Sequence, residues 1–401
     1  MPISWMNIDG VATDADLLAL IRKIKEEHSS DPDVAASLSR VLSTSGIQIP
    51  RRSPHSADVA STGGPSSLST LICPLFLRAA GACVPKLGVP GRPAGGIDCL
   101  AQIPGYRAVM SPAEIDRGLS ESGYIHFLGG ESIAPLDSRM FRLRQENSAQ
   151  EVPTLVVASL LSKKLAVGVQ FAGLDIRVAP YGNFGKDWEE AERNARLFIE
   201  VGRRVGIEAT AVLTDGRFPY QPYIGRKEAL LALNKIFAGD SSAWLTEHFE
   251  LCRTLALASA PNSMRSRLSK ASVSDLEAVF LANVKMQGGD LDALDRMIKD
   301  VASNHNVVIS ANEAGFAHFD LHLMRKVLVH WQNSCTENGR MFPDPVGLIL
   351  TKRSGEWVDQ GATLATLRID GLPHNEVLIS LQHAIRVVST PSNPHVKGLE
   401  Q

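Results

Sequence analysis

Asp58-Val59-Ala60-Ser61-Thr62-Gly63-Gly64-Pro65-Ser66-Ser67, followed by the apolar run Leu68 to Ala80, reads as a short strand, a hydroxyl- and glycine-rich turn, and a helix. That order builds an anion site. Glycines let the backbone approach a ligand, while hydroxyls and free N–H groups at the helix start point at it. The helix dipole adds partial positive charge there. A phosphate-sized anion fits this chemistry, although a plain turn between strand and helix uses the same residue types for capping.

Outward from the turn, the chain alternates. Residues 14 to 45 carry helix-type apolar spacing (Leu17, Leu18, Leu20, Ile21, Ile24), with a second helix near Ala35 to Leu42. Ile49 to Ser56 is a polar, proline-marked linker. Val84 to Asp98 reads as a second strand and a glycine-rich loop, a usual place for ligand contacts in α/β proteins. Val152 to Leu165 and Trp188 to Val205 read as helices, Gly173 to Val178 and Glu208 to Leu213 as strands. The alternation predicts a mixed or parallel sheet with helices on its faces. Residues 226 to 302 are mainly helical, and short strands with one helix at Leu321 to Trp331 follow from Val307 onward.

Composition narrows the function. The 401 residues are 44% hydrophobic, enough for a large core. Net charge is −2 with both signs mixed, so nothing marks a nucleic-acid partner. Five cysteines form no CxxC pair, which fits reduced thiols in a cytoplasmic protein. The stretch from Met1 to Trp5 lacks signal-peptide character, and no apolar run reaches membrane-spanning length.

A second segment gives the turn its context. Ile133-Ala134-Pro135-Leu136-Asp137-Ser138-Arg139-Met140-Phe141-Arg142-Leu143-Arg144 continues to Ala158-Ser159-Leu160-Leu161-Ser162-Lys163-Lys164-Leu165-Ala166. With the anion turn, it resembles the class II nucleoside phosphorylase family, the thymidine and pyrimidine-nucleoside phosphorylases. That family carries Lys-His-Ser-Thr-Gly-Gly, Ala-Pro-x-Asp-x-x-x-Tyr-x-Leu-Arg and Ala-Ser-x-x-x-Lys-Lys-Leu in this order. The resemblance implies α/β with α+β additions: a small helical domain (1–50 and 140–170), a large α/β phosphate-binding domain with a mixed sheet (55–135 and 171–330), and a C-terminal α+β domain (331–401). It also implies a homodimer with no cofactor, in which phosphate is the co-substrate. The reaction joins phosphate to C1 of a pentose and releases a pyrimidine base.

On this resemblance, Arg144, Ser159 and Lys163 bind the base. Arg144 and Lys163 act as the catalytic cations that take up charge developing on it. Ser159 and Lys163, four apart, share one helix face. Ser61, Thr62 and Ser69 match phosphate-binding hydroxyls, and Gly63 and Gly64 supply backbone N–H groups. The departures lie at the phosphate end. Val59-Ala60 stands where the family has Lys-His, Lys86 aligns near a family serine, and Gly96 near a phosphate-binding threonine. A buried dianion requires a cation. Lys86 or Arg92 is therefore expected to supply the missing charge, and His55 is a further stand-in for the absent histidine. His318 and His322 with Asp320 are weighed as a metal site against Asp320 as a helix N-cap. Arg217, Tyr220 and Tyr223 are candidates for the sugar side. Two other readings remain open: a phosphoribosyltransferase-like enzyme, and a nucleoside-binding homologue without catalysis.

Overall fold

A computed structural model describes residues 12–335 and 341–391. The N-terminal Met1–Trp5 reading and the outer ends of the 1–50 and 331–401 divisions lie outside the described residues. Along the chain, α1 (Asp14–Glu27) and α2 (Pro32–Ser43) precede β1 (Ala57–Ser61), α3 (Ser69–Ala79), β2 (Val84–Gly88), α4 (Gly96–Leu100), α5 (Pro112–Ser122) and β3 (Tyr124–Leu128). Next come α6 (Pro135–Glu146), α7 (Pro153–Ala166), β4 (Phe171–Val178), α8 (Trp188–Val205), β5 (Glu208–Asp215) and the short β6 (Tyr223–Ile224). Five helices follow: α9 (Arg226–Phe237), α10 (Ala243–Ser259), α11 (Asn262–Ser269), α12 (Val273–Met286) and α13 (Leu291–Ser303). The C-terminal part holds β7 (Val307–Ser310), β8 (Gly315–Phe319), α14 (Leu321–Ser334), β9 (Val346–Leu350), β10 (Trp357–Val358), β11 (Thr363–Ile369), α15 (His374–Gln382) and β12 (Ile385–Val388).

The central strands pair in parallel throughout. β1 pairs with β4, β4 with β5, and β2 with β3. Backbone bonds Ala57 N–Cys83 O (2.9 Å) and Cys83 N–His55 O (3.1 Å) join β1 to β2, giving the order 3-2-1-4-5. Of the mixed and parallel alternatives, these strands take the parallel one, with helices packed on both faces of the sheet. One apolar cluster joins α3, α9, α10 and α12 to one face, and another joins α7 and α8 to the other. The chain runs outward from β1 to β3, then returns to β1's other side as β4. This reversal leaves a crevice at the strands' carboxyl ends, the usual ligand position in such sheets.

α1, α2, α6 and α7 pack through Leu17, Ile21, Leu38, Met140, Leu143 and Leu155 into a separate helical cluster. The starts of α1 and α2 are defined by side chains. Thr13 and Asp16 form a capping box on α1, and Asp31 accepts from Asp33 N and Val34 N at α2. Such caps stabilise by about 1 kcal/mol each. In the C-terminal part, the core gathers residues from Ile309 onward with Ile224 of β6, so its packing reaches back into 307–330. Its antiparallel sheets are β6-β9-β11-β7 and β10-β8-β12. Buried Arg368 ties it to α9 through Glu228 (2.7 Å). No helix among the described residues is long and apolar enough to cross a membrane.

The sequence reading names no helix or strand in 99–132, where the structure forms α5 and β3. β3 is the five-residue apolar strand Tyr-Ile-His-Phe-Leu, buried on both faces, and a run that short gives no periodicity to read.

Candidate active site

The ten residues named from the sequence line one cleft between the sheet's carboxyl edge and the helices α6 and α7. Ser61 ends β1, and the turn leaves it with Gly63 at φ 111° and Gly64 at φ 122°, a backbone that side chains with a Cβ rarely adopt. Ser61 Oγ accepts from Gly63 N (3.2 Å) and Arg177 Nε (3.0 Å). Thr62 Oγ1 accepts from Arg177 N (3.0 Å). Ser61 accepts two protein donors and Thr62 one, and neither hydroxyl donates within the described residues, so both keep their protons for an incoming anion. Ser69 differs: it lines the cleft, but its hydroxyl donates to Asp175 Oδ2 (3.0 Å). That proton is already taken inside the protein.

Arg177 is the residue the sequence reading missed here. Its guanidinium binds Ser61, Ser67 and Asp175 behind the turn and stacks on Tyr220 (4.3 Å). Its Nη1 is buried without a hydrogen-bond partner. The available signal was Asp175-Ile176-Arg177, two charges inside an otherwise apolar central strand.

At the other end, α6 and α7 bring Arg144, Ser159 and Lys163 together. Arg144 is 4% exposed. Its guanidinium donates to the carbonyls of Ala149, Leu155 and Gln150, each at 3.1 Å, which fixes it while leaving two of its five N–H groups. Burial lowers its pKa to about 10, against the attraction of Asp137. Lys163 Nζ pairs with Asp137 and donates to Ser159 Oγ (2.8 Å). Ser159 therefore accepts from the lysine and retains its own proton.

Between the two ends lies a buried ionic group. Asp58 is held by Lys86 (2.7 Å) and by Lys164. Burial alone would raise the Asp58 pKa, but the ammoniums of Lys164 and Lys86 outweigh it and hold the carboxyl below its usual range. Burial lowers the Lys164 pKa against the pull of Asp58. Lys86 Nζ also donates to the Val59 carbonyl, so an ammonium sits beside the backbone of a position where the family has lysine. Val59 itself packs in the core, while Ala60 lines the cleft. His126 of β3 completes this floor. Burial and Lys86 keep its imidazole neutral, and a Cβ at Gly96 would lie 2.7 Å from its ring.

The rim is formed by Arg92 of the glycine-rich loop, Phe141 and Arg325 of α14. Other named candidates fall elsewhere. His55 precedes β1 at the end away from the turn, with Ser263 Oγ 3.5 Å from its Nε2. Arg217 pairs with Asp215, and Tyr220 packs over Arg177; neither they nor Tyr223 line this cleft. Asp320 caps α14 by accepting from Leu323 N (2.9 Å), and no metal-holding group of side chains occurs among the described residues. Asp98 anchors the glycine loop, accepting from Gly91 N (2.8 Å) and Arg92 N (3.2 Å). Six cations line the cleft, Lys86, Arg92, Arg144, Lys163, Lys164 and Arg325, with no carboxylate among its described lining residues.

No protein-family profile matches the chain. Among curated proteins, it is similar to pyrimidine-nucleoside phosphorylase of Geobacillus stearothermophilus, 25% identical over 389 residues, covering 92% of this chain and 86% of that protein. The corresponding protein of Staphylococcus haemolyticus is 26% identical over 398 residues, covering 92% and 87%. Thymidine phosphorylase of Burkholderia cenocepacia is 30% identical over 254 residues, covering 61% of this chain and 58% of its own length. Among solved structures, anthranilate phosphoribosyltransferase from Saccharomyces cerevisiae in complex with PRPP and Mg aligns with TM-score 0.46 and 11% identity over 75% of this chain and 95% of that one. The two pyrimidine-nucleoside phosphorylases match the sequence over most of its length, which supports kinship with that family.

Proposed function

We propose that the chain is a pentosyltransferase of the pyrimidine-nucleoside phosphorylase type, with a rebuilt phosphate end. One observation carries the reading: the Ser61–Gly64 turn and the Arg144, Ser159 and Lys163 group face one cation-lined cleft. Phosphate at the turn attacks C1 of the pentose as the bond to the base breaks through an oxocarbenium-like state. Catalysis is then positioning of the anion plus stabilisation of charge on the departing base. Arg144 and Lys163 meet the base oxygens, and Ser159 donates its free proton to a ring nitrogen. Ser61 and Thr62 donate to phosphate. Lys86 supports the phosphate charge from beside Val59, in place of a lysine on β1. Phosphate is the co-substrate, no cofactor is used, and the chain works as a homodimer in the cytoplasm.

The test is base release by purified protein from pyrimidine nucleosides and their monophosphates. Phosphate-dependent release is expected. If phosphate, arsenate and pyrophosphate all fail to release a base from any of them, the reading is lost.

A further inference from the structure

The cleft's cations fall into two classes. Arg144 is held by three carbonyls, Lys163 by Asp137, and Lys86 and Lys164 by Asp58. Arg92 and Arg325 have no such tether. Among the described residues, neither guanidinium forms an ion pair or donates a hydrogen bond; Arg92 only lies over the Phe141 ring, 5.9 Å from its centroid. The carboxylate that acts on Arg92, Asp98, has Oδ1 engaged by Gly91 N, Arg92 N and Arg226 Nη2 (3.3 Å). Burial and the neighbouring Arg325 charge both push the Arg92 pKa down. Two mutually repelling guanidiniums, partly withdrawn from water in one cavity, are unfavourable until an anion joins them. Guanidiniums are suited to phosphate, which accepts parallel N–H donors on adjacent oxygens.

We infer that Arg92 and Arg325 form a second anion subsite that takes a phosphate monoester on the substrate itself, making a pyrimidine nucleoside 5′-monophosphate the preferred substrate class. The inference rests on the reading above, which assigns the base to Arg144, Ser159 and Lys163 and the attacking phosphate to the Ser61–Gly64 turn. A third anion position in the same cleft then falls to the pentose, whose 5′ oxygen is the usual ester site. Phe141 places the subsite next to the base end, since it lies one helical turn before Arg144 on α6. In the reaction, a phosphate oxygen bonds to C1 while the C1–N bond breaks. Its electron pair leaves with the base, which takes up, by way of water, the proton that the attacking hydrogen phosphate gives up. The products are the free base and a pentose 1,5-bisphosphate.

Calorimetric titration of the purified protein with uridine, uridine 5′-monophosphate and pyrophosphate separates the outcomes, alongside phosphorolysis of the first two. The monophosphate is expected to bind at least tenfold tighter than the nucleoside and to have the higher kcat/KM. Arg325→Ala should cut that preference tenfold or more, and Arg325→Lys should restore part of it; both are checked for unchanged melting. Nucleoside bound and cleaved as well as the monophosphate overturns the subsite and leaves the phosphorylase reading standing. Pyrophosphate binding tightly through Arg325, with no gain from the 5′-phosphate, also overturns it, in favour of a free diphosphate. If neither nucleoside nor monophosphate binds, both readings fall.

Discussion

The two ends of the cleft handle positive charge differently. At the base end, Lys163 faces its own carboxylate Asp137, and Arg144 is locked by backbone carbonyls. Elsewhere in the cleft, Lys86 and Lys164 share the single carboxylate Asp58, and at the rim Arg92 and Arg325 have no ion-pair partner among the described residues. The base end is rigid and holds one positive charge beyond its carboxylate, suited to a neutral ring that gains charge only as its bond breaks. The other positions hold a larger positive excess, because Arg92 and Arg325 add to the one left by Lys86, Lys164 and Asp58, and suit ligands that arrive already charged. On the proposed function, fixed dipoles and charges at the first place would raise the rate, while excess charge at the second would raise affinity.

Removing Lys163 should break this picture most visibly. Lys163→Met takes away the proposed charge stabiliser, with an expected fall in kcat/KM of about 10²–10³-fold. It also leaves Asp137 buried without its cation, a loss of about 3 kcal/mol. The double variant Lys163→Met with Asp137→Asn should regain most of the stability and none of the activity. Urea midpoints and steady-state rates on the same preparations check this. Activity returning with the stability would reduce Lys163 to a structural pair.

Lys86→Met gives a smaller, differently shaped effect. Asp58 keeps Lys164, so the stability loss should be only about 1 kcal/mol. The KM for phosphate should rise about tenfold with kcat changed less, the sign of lost binding rather than lost charge stabilisation in the transition state. An unchanged phosphate KM would mean that the ammonium serves only Asp58.

Much of the scaffold is legible in the sequence. The turn between β1 and α3, the i, i+4 placement of Ser159 and Lys163, and the 18-residue helix Trp188–Val205 all follow from spacing and residue type. What escapes is what long-range packing creates. Asp58 meets Lys86 and Lys164 across 28 and 106 positions, and no local pattern announces such pairs. Arg325 sits on a helix of the C-terminal part, where an exposed arginine is the ordinary expectation, yet the fold brings it to the rim of the cleft. His126 was hidden because its strand is short and apolar on both sides. Ser69 shows the converse. Its position in the motif implies phosphate, but which way its proton points depends on Asp175 in another strand.

Two carboxylates whose titrations run in opposite directions separate the regions by pH. Asp58 has a lowered pKa, so its contribution is present above the usual value of 3.8 and is lost as pH falls through its still lower native value. Asp98, the anchor of the loop that carries Arg92, is pushed up to about 6 by burial, against Arg226 and the N–H groups of Gly91 and Arg92. The native state therefore holds its proton more tightly than the unfolded chain does. Its contribution is full below pH 3.8 and is lost as pH rises through about 6, by on the order of 2–3 kcal/mol. Asp98→Asn keeps an acceptor for Gly91 and Arg92 but cannot titrate. Urea midpoints measured from pH 4.5 to 8 should show the variant gaining on the parent as pH rises, with the difference levelling off above pH ~6.5, where titration is nearly complete. A difference that stays constant with pH would mean that Asp98 is already ionised throughout, with Arg226 compensating it fully. The Arg92 loop would then carry a compensated carboxylate, as the base end does, and the contrast between the two ends would narrow to Arg92 and Arg325 alone.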